Sequence, residues 1–282
     1  MLYRTDLALE AKQNLEESGV KPGEKDGIIS ETAQIDDNIS VTTVDITSAK
    51  GEILLGKPRG RYVTLEIEGL FDEIRGDAKS DVKSRAVHAL ADQLSRFVKH
   101  SYYLKTLVIG LGNPEVTPDS LGPSVLAKTC ITRHLFQIYE CDGDDEYSNV
   151  CGLAPGVTAT TGLETADIIE KMVKMTEPDA VIVIDALAAR EIERVSTTIQ
   201  ISNTGISPGA GMGNYRKELS RQSLGTEVIA IGVPTVIDAD RLLKNKNVDM
   251  VVTPSDIDTV IDVFSNIISS AINICLHPGI YS

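Results

Sequence analysis

Four cysteines in 282 residues, none in a CxxC pair and none with a histidine at metal-finger spacing, give no basis for a zinc module or a disulfide framework. Cys130, Cys141, Cys151 and Cys275 therefore fit a reducing compartment. Positive charge is scarce: 27 Lys and Arg against 41 Asp and Glu leave a net charge of -14. Phosphate neutralisation needs clustered cations, so direct nucleic-acid binding through a basic surface is not expected. Long apolar runs are missing too. The segment MLYRTDLALEAKQNLEESG carries acids, and AVIVIDALAA is broken by Asp185 and too short to span a bilayer, so a soluble, intracellular protein without a membrane partner is expected. No GxSxG elbow or HExxH motif is present, and His88, His100, His134 and His277 stand isolated from one another.

What is present is a pattern of strands alternating with helices. Leu7, Ala8, Ala11 and Leu15 have helical spacing, and the segment stops at Gly19. VTTVDI (41–46) and RYVTLEIEG (61–69) alternate as strands, with GEILLGKPRG as a turn-rich connection. Val82, Ala86, Leu90, Leu94 and Phe97 mark an amphipathic helix. TLVIGLG, HLFQIYE, DAVIVIDA, RVSTTIQIS and EVIAIGVPTVI read as strands, and helices are expected near 121–133, 164–176 and 256–276. Short, almost wholly apolar strands such as VIVID suggest burial on both faces. The fold class is α/β, a central mixed or mostly parallel sheet flanked by helices, phosphorylase/hydrolase-like, with an N-terminal β-containing segment. In such sheets ligands sit beyond the carboxyl ends of the strands, so residues after LVIGLG and VIVID share an expected crevice.

LVIGLGNPEVTPDSLGP (107–123) begins like a nucleotide-binding turn. After Gly110 and Gly112, however, the third glycine of the fingerprint is absent, Pro114 lacks a backbone donor, and Glu115 would repel a pyrophosphate. GLGNP with TRH at 132–134 resembles peptidyl-tRNA hydrolases, but there the two elements lie close together, whereas 17 residues separate Pro114 from Thr132 here. A shared architecture fits; a shared function does not. The acids suggest another chemistry. If the strands are neighbours, Asp119 and Asp185 face each other, one keeps a proton while the other activates water, and an amide is hydrolysed without a covalent intermediate. The competing structural role is helix capping, by Asp119 before Leu121 and by Asp185 before ALAAR. Arg190 reads as a surface ion pair.

RTDLALEA, GRYVTLEIEG, LVIGLGNPEVTPDSLGP, TRHLF, APGVTATTGLET, DAVIVIDALAARE, RVSTTIQISNTGISPGAGMGN, VIAIGVPTVIDA and VTPSDID together resemble, over nearly the whole chain, the germination proteases of spore-forming bacteria. Those are aspartic-type endopeptidases that degrade small acid-soluble spore proteins. The resemblance implies that Asp119 and Asp185 are catalytic and that residues 1–6 are a propeptide cut between Asp6 and Leu7, because TDLALE fits the family's acidic-apolar-Ala pattern with a following Glu. It further implies a single peptidase domain over 7–282 (an N-terminal segment 7–103 and a catalytic core 104–282), a homotetramer, and residence in the cytoplasm of the forespore and spore core. Only six residues precede Leu7, and an insertion carried by some relatives after KNKN is missing.

Backbone amides of Gly110, Gly112 and Asn113, or the glycines of SPGAGMGN (207–214), are candidate oxyanion donors. Asp238 is a third acid at the expected crevice edge. A more distant resemblance links the GxGN turn and its acids to hydrogenase-maturation endopeptidases, which use a His with those acids to recognise nickel in their substrate. That leaves a metal-dependent maturation or recognition factor as the alternative function. Ser207 stands where some relatives have His, so no cofactor and no required metal are expected.

Overall fold

The computed structural model describes residues 5–75, 81–209, 216–239 and 250–281. Among the described residues nine strands make one mixed sheet: β1 (Ile28–Gln34), β2 (Ile39–Ile46), β3 (Gly60–Ile67), β4 (Lys105–Gly110), β5 (Asn149–Leu153), β6 (Ala180–Ala189), β7 (Thr198–Ser202), β8 (Glu227–Asp238) and β9 (Val251–Val252). The spatial order is β1-β2-β3-β7-β8-β6-β4-β5, with β9 added to β8. Pairs from β1 to β8 through β2, β3 and β7 are antiparallel, whereas β8, β6, β4 and β5 run parallel. The α/β class with a mixed sheet is therefore what the chain adopts.

Ten helices accompany the strands among the described residues: α1 (Ala8–Glu17), α2 (Ala49–Leu55), α3 (Leu70–Arg75), α4 (Val82–Leu94), α5 (Leu121–Lys128), α6 (Arg133–Ile138), α7 (Thr158–Thr161), α8 (Thr165–Thr176), α9 (Arg221–Leu224) and α10 (Ile257–Leu276). Alternate side chains of each strand point to opposite faces. In β6, Ile182 and Ile184 join the core beneath α4, α5 and α10, while Val181 and Val183 join Ala166 and Ile169 of α8 on the other face. The apolar VIVID run follows from this two-sided burial. On the antiparallel half, Ala8 and Ala11 of α1 and Leu55 of α2 cover Ile28, Val44, Ile46 and Tyr62. By length and composition α10 could cross a membrane, but most of it is buried inside the protein, against α4 and α5. Its apolar character serves the core.

Four local expectations are corrected. HLFQIYE forms α6 instead of a strand; Phe136 is buried, whereas Ile138 and Tyr139 are exposed, a one-sided pattern rather than an alternation. The GEILLGKPRG connection contains α2, where the Ser48 Oγ accepts the Gly51 N–H at 3.0 Å and Gly56 ends the helix at φ 62°. IISETAQ and NVCGL are additional strands, β1 and β5, at the two edges of the sheet, where one-sided pairing tolerates a polar run or a glycine. Finally, β6 does not end at Asp185 but runs on to Ala189, paired with β8 through a register shift between Leu187 and Ala188.

Among the described residues Phe264 is the largest fully buried side chain, and Ile53 is 82% exposed. Truncation of Phe264 to Ala is expected to cost about 3–5 kcal/mol in urea unfolding, while Ile53→Ala should stay within about 0.5 kcal/mol.

Candidate active site

The site starts where β4 meets β6. Gly110 lies beside Ile184 in parallel register, and the Leu111 N–H extends the pairing to the Ile184 carbonyl at 2.8 Å. The chain then turns sharply. Gly112 has φ 113°, and a Cβ there would lie 1.9 Å from the Asp119 carbonyl oxygen, so only glycine fits. The Asn113 side chain accepts the Glu115 N–H at 3.0 Å, and the 3-10 turn Thr117–Asp119 returns the chain to the sheet. Asp119 Oδ2 then accepts the Asn113 N–H at 2.8 Å. That amide, offered by the sequence as an oxyanion donor, is thus engaged by Asp119. Gly110 and Gly112 serve close packing: a Cβ on Gly110 would lie 2.3 Å from the Gly122 carbonyl oxygen.

Neither aspartate caps a helix. Ser120 is the N-cap residue of α5 and no side chain caps that end, while residues 186–189 of ALAAR continue β6 instead of starting a helix. Asp185 Oδ1 accepts the Ala186 N–H at 3.0 Å. Asp119 and Asp185 line one cavity of about 520 Å³ together with Asp6, Leu111, Gly112 and Arg216. Asp185 is 7% exposed; burial, then the charges of Asp119 and Asp6, hold its carboxyl well above the ordinary range. Burial also raises Asp119, but the Asn113 amide and the nearby Arg216 oppose that rise. The two acids therefore differ: Asp185 favours its neutral form more strongly than Asp119.

The crevice also receives the start of the chain. The Asp6 N–H donates to the Ala188 carbonyl at 3.1 Å, and Asp6 Oδ2 accepts the Ala188 N–H at 2.8 Å. Glu10, fully buried, accepts the amides of Arg190 at 2.7 Å and Glu191 at 2.9 Å. Leu7 is fully buried behind Asp6. Arg190 is not the surface pair expected: it is 7% exposed and bridges Glu17 and Glu191. Ser207, Pro208 and Gly209 line the cavity, while 210–214 of SPGAGMGN lie outside the described residues, as does the Asp238 side chain; only its backbone pairing with Val251 is described. None of the four histidines is among the lining residues. Among the described residues, no group of three or more His, Cys, Asp or Glu is placed to hold a metal ion. Arg216, Lys57 and Gln200 escaped the sequence reading, for none sits in a motif that marks it.

A family model described as germination protease matches residues 5–247. The chain belongs to the germination protease family. It is accordingly a peptidase, and the matched region includes Asp6, Asp119 and Asp185. Its curated relatives include the germination protease of Clostridium tetani, 40% identical over 99% of this chain and 97% of that protein. The Clostridium perfringens protein is 38% identical over 98% and 95%, and the Bacillus pumilus protein 47% identical over 84% of this chain and 64% of its own length. Among solved structures, a [NiFe] hydrogenase maturation protease, HycI from Thermococcus kodakarensis KOD1, covers 64% of this chain and 99% of its own at 14% identity and a TM-score of 0.35, too weak a likeness to carry an argument.

A raised folded-state pKa means that the folded chain holds more proton than the unfolded one between the two values. The stability that Asp185 contributes is complete below the ordinary Asp pKa and is lost as pH rises through the raised folded value. The wild-type Tm should therefore fall relative to that of Asp185→Asn as pH rises above about 4. A difference that stayed constant from about pH 4 to about pH 8 would count against a neutral Asp185.

Proposed function

We propose that this germination protease is an aspartic-type endopeptidase that begins the degradation of small acid-soluble spore proteins during germination. It is made as a zymogen that cuts itself between Asp6 and Leu7, separating residues 1–6 from a single peptidase domain over 7–282. Within the proposal it acts as a homotetramer in the forespore and spore core. The observation that carries this reading is the meeting of Asp119, Asp185 and Asp6 in one crevice. Two carboxyl groups with unequal proton affinities share that cavity with Asp6, which a buried Leu and Ala follow. The family match supports the peptidase class.

In the proposed step, ionised Asp119 takes one proton from water, and the resulting hydroxide adds to the Asp6 carbonyl carbon. Neutral Asp185 gives its proton to the Leu7 nitrogen as the C–N bond breaks. The products are a carboxylic acid at Asp6 and an amine at Leu7, and the proton on Asp119 restores Asp185 through solvent. The stronger upward push on Asp185 is the reason for this division of roles. Asp238 is kept as a supporting acid whose role is structural.

Incubation with a purified small acid-soluble spore protein, with cut sites mapped by mass spectrometry, tests the proposal. Asp119→Asn and Asp185→Asn should each slow cleavage by at least about 100-fold, the scale of losing a general acid or base. Near-wild-type rates in both would sink the dyad, and an intact Met1–Glu10 segment in mature enzyme would sink the processing step.

A further inference from the structure

The sequence offers no reason to connect Thr5, Lys57 and Gln200, yet the fold closes them on a single peptide. Lys57 leaves the end of α2, and its ammonium group donates to the Thr5 carbonyl at 2.8 Å and to the Asp6 carbonyl at 3.1 Å. Gln200, buried in the middle of β7, donates through Nε2 to the same Asp6 carbonyl at 3.2 Å and accepts the Ala8 N–H through Oε1 at 2.8 Å. The carbonyl on one side of the Asp6–Leu7 bond and the amide of Ala8 beyond it are thus fixed by one side chain. A hollow of about 220 Å³ lined by Lys57, Tyr62, Gln200 and Glu218 shares Asp6 with the aspartate crevice. The two meet on Asp6, Leu187, Ile206 and Ser207.

We propose that Lys57 and Gln200 are catalytic residues of the self-cleavage reaction: they hold the Asp6 carbonyl oxygen and stabilise the negative charge that develops on it when water adds. This deepens the reading of Asp6–Leu7 as the processing site and rests on it. A cation and an amide donor aimed at one carbonyl form the donor set that a tetrahedral intermediate needs. The Asn113 amide, first considered for that task, is less suited, since it already serves Asp119. Nor does Lys57 act as a surface strap. Its ammonium is buried against two carbonyls, and that burial lowers its pKa against the opposing charges of Asp6 and Glu10. Tyr62, raised by its own burial, stays neutral beside it, and Glu218 faces the same hollow. The fixed P1 acid completes the arrangement: Ala188 takes the Asp6 carboxylate and backbone N–H, so the carbonyl cannot turn away from its donors.

The test follows self-cleavage of the full chain by mass spectrometry in wild type, Lys57→Met, Lys57→Arg and Gln200→Glu, with hydrogen exchange at the Asp6 and Ala8 amides as the measure of docking. Gln200→Glu keeps the acceptor for Ala8 and removes the donor to Asp6. Lys57→Met and Gln200→Glu should each slow the cut at Asp6–Leu7 by about 100-fold, the loss typical of one oxyanion donor, with amide protection retained. Lys57→Arg should recover most of the rate and move the alkaline limb of the pH profile upward, because Arg keeps its proton where Lys57 loses it. Wild-type rates in the two donor-deleting variants would overturn the proposal, as would slow cleavage accompanied by lost protection, which would make the pair a strap. If Lys57→Met does not fold, Gln200→Glu decides alone. Failure of the wild-type chain to cut at Asp6–Leu7 would instead refute the processing reading on which the proposal stands.

Discussion

The parallel pairing of β4 with β6, Gly110 beside Ile184, is the contact on which the crevice depends. It brings the carboxyl ends of two strands to one place, and everything that follows β4 must fold back over that end. Three glycines make this possible at close range. A Cβ on Gly110 would reach the Gly122 carbonyl oxygen at 2.3 Å, on Gly112 the Asp119 carbonyl oxygen at 1.9 Å, and on Gly122 the Leu111 carbonyl oxygen at 2.2 Å. Strand, turn and the start of α5 are therefore in backbone contact. A nucleotide-binding loop uses glycines to admit a phosphate to its amides. Here the Asn113 amide is turned onto Asp119 from the same turn, and the glycines admit backbone instead.

That arrangement concentrates acid. Asp6, Asp119 and Asp185 share one crevice in a protein with a net charge of -14, and among the described residues that line it only Arg216 is a cation. Ionising all three there would be expensive, and the cheaper solution is for the most buried carboxyl to stay neutral. Asp185 is that group, because desolvation comes first among its perturbations and both neighbours add to it. Asp119 has an amide donor and a nearby guanidinium, so its negative form is better supported. The asymmetry comes from position in the fold: Asp185 projects from within a central strand, Asp119 from a half-exposed turn.

How much of this could be read beforehand depends on whether the signal was local. Two-sided burial wrote itself into VIVID, and the helical spacing from Val82 to Leu94 gave α4. Asp119 and Asp185 were legible as a pair because each follows an apolar strand. The end of β6 was not legible. ALAAR has good helix formers, and only pairing with β8 holds it extended to Ala189, a tertiary override of local propensity. The same extension buries Arg190, which isolated sequence would place on the surface. Lys57 and Gln200 were invisible for a related reason: they meet Asp6 across 51 and 194 residues of chain, and neither carries a periodicity or motif that marks the contact.

The continuation of β6 past Asp185 has a second effect, which ties the dock to the chemistry. Ala188 receives Asp6, and the amides of Arg190 and Glu191 receive Glu10, so the start of the chain is held through backbone groups of the same strand and the residues just after it. Backbone amides donate to any suitably placed carboxylate, and here the two that dock are Asp6 and Glu10. Asp6 and Glu10 are four residues apart, with the small Ala8 fully buried between them. Along β6, Asp185 and Ala188 are three positions apart, roughly 10 Å at a rise of about 3.3 Å per residue. A strand cannot slide these two positions relative to each other without breaking its pairing to β8. The distance from Asp185 to Ala188, which holds Asp6, is thus set by the covalent geometry of the strand, and the shift of register between Leu187 and Ala188 falls within that span.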